Sequence, residues 1–199
     1  MSSPESPSSP GSPGRPARSD ARRNREKLIA VARRAFAAAD GPVALEAIAR
    51  EAGVGIGTLY RHFPTREELV ESVYAAELDD VTACAPALLA ELPPEVALRA
   101  WMDRYAAFVE TKRGMGDLLR ASVASGRIAT PATRRRLTAA IGSILERGAR
   151  AGTLRADVDA EDVVLMLLGV FLATADRDAE RIGRLLDLVV DAVRPKLPE

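Results

Sequence analysis

Between Leu45 and Phe63 the apolar positions follow a helical period. Leu45, Ile48, Ala49 and Ala52 stand at i, i+3, i+4 and i+7, which is one face of a short helix. Gly53 follows, where a helix C-terminus favours a residue tolerant of positive φ. Val54 plugs the corner, and Gly55 stands at the N-cap of a second helix. On that helix Leu59 and Phe63 face inward while Thr58, Arg61 and His62 face out. Two short helices around a tight glycine turn read either as an ordinary helical hairpin or as a helix-turn-helix, whose second helix enters the DNA major groove.

The same period predicts helices on both sides. Leu28, Val31, Ala32, Ala35, Phe36 and Ala39 form a stripe from about Asn24, ended by Asp40-Gly41-Pro42 with Gly41 as a left-handed cap. Thr65-Arg66-Glu67-Glu68 is a capping box opening a helix that reaches Cys84, and Pro86 ends or kinks it. Pro94 begins a helix over 95–112 with Trp101, Tyr105 and Phe108 in one row, a row that is either helix core or a pocket wall. Gly114-Met115-Gly116 breaks it before a short helix from Asp117 to Ser125. Thr130-Pro131 opens a helix through Arg150, Asp159 caps one that is apolar all round from Val163 to Ala173, and an amphipathic helix closes the chain over 178–194. No stretch alternates as a strand does, so the expected fold class is all-α, with an N-terminal three-helix helix-turn-helix domain and a C-terminal helical domain.

Composition sharpens this picture at three points. Residues 1–17 hold six Ser, five Pro and two Gly, and are expected to be a disordered tail. The net charge of zero conceals an asymmetry: residues 15–66 carry 11 Lys or Arg against 5 Asp or Glu, while residues 67–199 carry 17 against 22. A basic N-terminal third fits an anionic partner at one end, although a plain solvated surface gives the same balance. Cys84 is the single cysteine and His62 the single histidine, which excludes an intrachain disulfide and leaves too few ligands for a zinc site of His or Cys.

The longest apolar run, Val163 to Ala173, is too short to span a bilayer, which takes about 20 residues. The N-terminus lacks the apolar core of a signal peptide. No nucleophile elbow, phosphate loop, dinucleotide fingerprint or metalloprotease motif occurs, so no enzyme activity and no cofactor are expected. A reducing cytoplasm is the expected location.

Gly57-Thr58-Leu59-Tyr60-Arg61-His62-Phe63, followed by Arg66-Glu67-Glu68-Leu69, resembles the TetR (tetracycline-repressor) family of bacterial regulators. The resemblance extends back over Leu28, Ala32, Phe36, Ala49 and Gly53-Val54, and covers roughly residues 20–80. This sequence departs from the family at two positions. Ala44 stands where relatives often place a capping Ser or Thr, and Gly55 where they often place Ser; each removes a hydroxyl able to cap a helix and touch a phosphate.

The resemblance implies a sequence-specific transcriptional regulator, a repressor released when a small-molecule effector fills a C-terminal cavity. A ligand-independent regulator or an architectural DNA-binding protein is the alternative. The expected domains are a helix-turn-helix DNA-binding domain at 18–80 and a ligand-binding and dimerisation domain at 81–199.

Candidate DNA-binding residues are Arg22, Arg23, Ala44, Gly55, Thr58, Tyr60, Arg61, His62 and Arg66. Tyr60, His62, Arg66, Arg22 and Arg23 are assigned to phosphates, and Thr58 and Arg61 to base edges. The candidate pocket is Trp101, Met102, Tyr105, Phe108 and Met115. The expected partners are double-stranded DNA carrying a palindromic operator, a small-molecule effector and a second copy of the chain, with no membrane. For the homodimer interface the expectation is Leu137, Ile141, Leu145, Val163, Leu167, Val170 and Phe171, with the final helix as competitor.

Overall fold

The computed structural model describes residues 15–39, 41–174 and 178–195. It is all-helical in the described residues, with eight helices: α1 (Arg15–Ala38), α2 (Leu45–Glu51), α3 (Ile56–His62), α4 (Arg66–Glu91), α5 (Pro94–Ala124), α6 (Pro131–Ala151), α7 (Ala160–Ala173) and α8 (Ala179–Ala192). Most of the expected tail lies outside the described residues, but its end, from Arg15, is already helical, so the basic segment from Arg18 to Lys27 is the first part of α1.

Helices α1 to α3 pack around Leu28, Ala32, Phe36, Ile48, Leu59 and Phe63, each at most 1% exposed. These are the positions that share the helical period in the sequence. Asp40, within the expected stop Asp40-Gly41-Pro42, lies outside the described residues. The last turn of α1 closes with the Ala39 N–H donating to the Phe36 carbonyl at 3.3 Å.

α4 is the spine. Its 26 residues span about 39 Å at the helical rise. Thr65 accepts a hydrogen bond from the Glu68 N–H at 3.2 Å, as the capping pattern requires. Pro86 neither ends α4 nor prevents it from continuing to Glu91, because Ala85, Leu88 and Leu89 carry the core-facing side past it. The division expected near residue 80 therefore falls inside one helix that serves both halves, and a single apolar core runs along it.

In α5 the glycines act as expected: Gly116 leaves the helical region (φ 57°, ψ −134°) and kinks the element. Gly114 lies against α1 so closely that a Cβ there would sit 1.7 Å from the Phe36 carbonyl oxygen. Thr130 and Asp159 cap α6 and α7, and Gly152 ends α6 in the left-handed conformation at φ 71°.

The residues expected at a symmetric interface are largely spent inside the protomer. Leu137, Ile141, Leu145, Val163, Leu167 and Phe171 are buried and Val170 is half-buried. One face of α7 packs on α6, which leaves Leu165 (48% exposed), Met166 and Leu172 (80% exposed) on the opposite face, and α8 adds Leu188 at 62%.

Candidate nucleic-acid interface

The turn between α2 and α3 is built from backbone bonds. The Gly53 N–H donates to the Arg50 carbonyl at 3.1 Å and the Val54 N–H to the Ala49 carbonyl at 3.0 Å. This pair of bonds is a Schellman motif, and it requires the left-handed residue that Gly53 supplies at φ 70°. Val54 packs partly into the core beneath the turn. Ala44 and Gly55 occupy the N-caps of α2 and α3, and neither gives its helix a side-chain cap. The first N–H groups of both helices are thus left without a side-chain acceptor, which suits an anion at either end.

With Leu59 fully buried and Phe63 at 1%, α3 turns Tyr60 and Arg61 outward, with Thr58 and His62 half-buried beside them. The Arg61 Nη2 donates to Thr58 Oγ1 at 2.8 Å, so these two share one polar face. Arg22 and Arg23 lie exposed on α1 and pair with Glu26 at 3.4 Å and Asp20 at 3.8 Å. Exposed pairs of this sort are weak and exchange readily for a phosphate. Arg25 is engaged: it lies over the Phe63 ring at 5.0 Å and donates to Ser72 Oγ at 2.9 Å, bracing α1 on the end of α3 and on α4. Arg66 is half-buried, and its guanidinium donates to the Val43 carbonyl instead of standing free on the surface.

Braces that hold the reader were not visible in the sequence. Arg34 pairs with Glu51 at 2.9 Å and ties α1 to α2. Arg33 Nε donates to Glu77 Oε1 at 2.8 Å and its Nη1 donates to Asp80 Oδ2 at 2.7 Å. Thr111 Oγ1 donates to the same Glu77 oxygen at 3.3 Å, so α1, α4 and α5 meet on one buried carboxylate. Burial pulls the Arg33 pKa down, but the bonds to Glu77 and Asp80 more than offset this and raise it overall. The partners of Glu77 and Asp80 are more than 30 residues away in the chain and Arg34 and Glu51 are 17 apart, so no local pattern announces them.

The five expected pocket residues are all buried, at 3% exposure or less. Trp101 stacks on Tyr105 with ring centroids 5.6 Å apart, and Tyr105 meets Phe108 at 5.9 Å and Phe171 at 5.6 Å. Trp101 Nε1 donates to the Val81 carbonyl at 2.8 Å, which satisfies its polar edge within the core. Lys112 is the residue that periodicity missed here: its ammonium lies 5.1 Å over the Phe108 ring, and burial lowers its pKa. Met115 stands apart from the rings and lines a cavity of about 490 Å³ between the end of α1, the start of α4 and the α5 kink.

Comparison with known proteins agrees with this arrangement. Residues 28–73 match the profile of the tetR family of bacterial regulatory proteins, and residues 93–195 match the C-terminal domain of SbtR-like transcriptional regulators. The crystal structure of the TetR transcriptional regulator SCO0520 from Streptomyces coelicolor is similar with a TM-score of 0.78 at 44% identity, over 87% of this chain and 99% of that one. A TetR transcription regulatory protein from Mycobacterium vanbaalenii is similar with a TM-score of 0.70 at 35% identity, over 90% of this chain and all of that one. An HTH-type transcriptional regulator of Staphylococcus aureus (strain USA300) is 36% identical over 63 residues, a match that spans 34% of that protein's length.

Proposed function

Since the chain belongs to the TetR family of DNA-binding transcriptional regulators, we propose that it is a repressor that binds a palindromic operator as a homodimer and releases it when a small molecule binds the C-terminal half. The observation that carries the DNA reading is the outer face of α3, where Thr58, Tyr60, Arg61 and His62 stand opposite the buried Leu59 and Phe63. In this reading Thr58 and Arg61 meet base edges. Tyr60, His62, Arg22, Arg23 and the open N-termini after Ala44 and Gly55 meet phosphates, which position the protein without specifying sequence. Arg66, whose guanidinium spends one nitrogen on the Val43 carbonyl, belongs to the same phosphate-contacting set in this reading.

The dimer reading rests on Leu165, Met166, Leu172 and Leu188, an exposed apolar surface on α7 and α8 that a second copy would cover. Two readers related by a two-fold axis would then sit one helical turn apart on DNA, about 34–36 Å, or a multiple of that. For the effector, the support is the aromatic group around Tyr105 with Lys112 beside it, an apolar site with a half-buried cation at its edge. It opens only if a ligand favours a conformation in which those rings part, and that preference sets how far operator binding falls. The protein acts where its DNA is, in the cytoplasm; among the described residues no helix is long and apolar enough to cross a membrane.

The deciding experiment is selection from a random duplex library with the purified full chain. A palindromic consensus bound by a dimer is the expected result. Enrichment of no sequence, with affinity that depends only on salt, would favour the architectural alternative.

A further inference from the structure

Arg66 is a half-buried cation with no carboxylate partner among the described residues. One end of its guanidinium donates to the Val43 carbonyl, and its Nε is sealed from solvent with no acceptor at all. A cation so placed is normally paired, because burial strips away its hydration and only an anion or several good hydrogen bonds restores it. An arginine is moreover shaped for bidentate capture of a carboxylate.

The residue borders the 490 Å³ cavity between the end of α1, the loop into α2 and the α5 kink, a volume within the range of small-molecule sites. Phe36, Pro42, Val43, Met115 and Leu118 give it apolar walls. Among the described residues the other charged groups on its lining are Arg113, Arg120 and Asp117. Arg113 is occupied, donating to Glu110 at 2.6 Å and to the Phe171 carbonyl at 2.7 Å. Arg120 pairs with Asp117 one turn away, but both are exposed, at 76% and 87%, and such a pair yields readily to a better acceptor. Arg66, with its Nε unsatisfied, and Arg120 thus border an apolar chamber whose lining, among the described residues, holds one carboxylate, Asp117.

We propose that this cavity binds a small monocarboxylate with an apolar body, of the medium-chain or arylalkanoic acid kind. The carboxylate is received by Arg66 and Arg120, and the body lies against Phe36, Val43, Met115 and Leu118. A small turn of the Arg66 side chain brings its unpaired edge onto the ligand. The apolar walls disfavour a bare inorganic anion, and the arginines disfavour the corresponding neutral alcohol or ester. The site is separate from the aromatic group around Tyr105, and it stands or falls independently of the DNA reading, because its test uses the free protein.

The test is titration calorimetry on the full chain with octanoate and 3-phenylpropionate, against octan-1-ol, methyl octanoate and inorganic phosphate, together with methionine-methyl NMR. At least one acid should bind saturably, one per chain, about tenfold or more tighter than its neutral counterparts, the worth of one good charge-assisted bond. The Met115 methyl resonance should move while those of Met102 and Met166 stay. Arg66→Gln and Arg120→Gln should each weaken binding, Arg66→Gln by about tenfold or more, and Leu118→Trp should abolish it by filling the chamber.

If Arg66→Gln does not fold, Arg120→Gln and Leu118→Trp decide. The proposal is overturned if neither acid binds below about 1 mM. Equal affinity for acid and alcohol overturns it too, as does binding that leaves the Met115 methyl unmoved or survives Leu118→Trp in a folded protein.

Discussion

Gly114 and Phe36 meet where no side chain fits: a Cβ on Gly114 would lie 1.7 Å from the Phe36 carbonyl oxygen and 2.6 Å from its carbonyl carbon. This contact sets α5 directly on the end of α1, two residues before the kink at Gly116. The obstacle is backbone and cannot swing aside. Gly114→Ala should cost about 3 kcal/mol, the upper range for overpacking, and lower Tm by about 6–12 °C for a chain of this size. Gly41→Ala is the control, since nothing lies within 4 Å of its Cβ position. Thermal melts of both variants check this; equal Tm values would mean that α1 and α5 separate freely.

Ala44 leaves α2 without a side-chain cap. Ala44→Ser should stabilise the protein by about 1 kcal/mol, a rise in Tm of about 2–4 °C. It should also tighten operator binding, since the new hydroxyl stands at a helix end proposed to face a phosphate. Thr65→Ala removes the cap that α4 does have and should cost about as much as Ala44→Ser gains.

Thr58 holds Arg61 in place through the 2.8 Å bond between their side chains. Thr58→Ala and Arg61→Ala should each relax preference at particular base pairs, by about 1–3 kcal/mol for a lost base contact. Arg22→Ala should weaken all sequences evenly and reduce the slope of log affinity against log salt by about one. Binding measured at several salt concentrations on operator and scrambled duplexes separates the two classes.

Leu172, at 80% exposure, and Leu167, at 1%, lie on opposite faces of α7 and should respond differently to a charge. Leu172→Glu should give a folded monomer with much weaker operator affinity, read by light scattering and mobility shift. Leu167→Glu should fail to fold, because it places an unpaired carboxylate in the core. A dimeric Leu172→Glu variant with full affinity would move the interface elsewhere.

Burial, with the charge of Tyr74 adding to it, pushes the Tyr105 hydroxyl up to about 12 from 10.0. The folded chain therefore holds this proton more tightly than the unfolded chain. The resulting stability is fully present below pH 10 and is lost as pH rises toward 12, an effect of about 3 kcal/mol at most. Tyr74 is shifted in the same direction, so Tyr105→Phe should lessen the alkaline loss without abolishing it. Urea denaturation at pH 9 and pH 11.5 would show the difference.

Local chemistry determined the helices, their caps and the reader. Spacings of three and four residues put Leu45, Ile48 and Leu59 on inward faces, Gly53 was the residue able to take the left-handed turn, and Thr65, Thr130 and Asp159 were able to cap. Each of these is decided within a few residues of chain, so sequence alone is enough. The resemblance around Thr58-Leu59-Tyr60 and His62-Phe63 supplied the family in the same way, from one short stretch. What lay beyond was decided by packing between distant elements. Periodicity marks Leu167 and Leu172 alike as apolar, but only the docking of α7 on α6 decides which is buried and which is left for a partner. Pro86 breaks helices locally, yet the core on either side carries α4 through it. Arg66 looks like any surface cation beside a reader helix until Val43, on a loop 23 residues earlier, takes its guanidinium and leaves it lining a cavity that no single segment encloses. A side chain's partner can come from anywhere in the chain, and only the folded arrangement of all eight helices selects it.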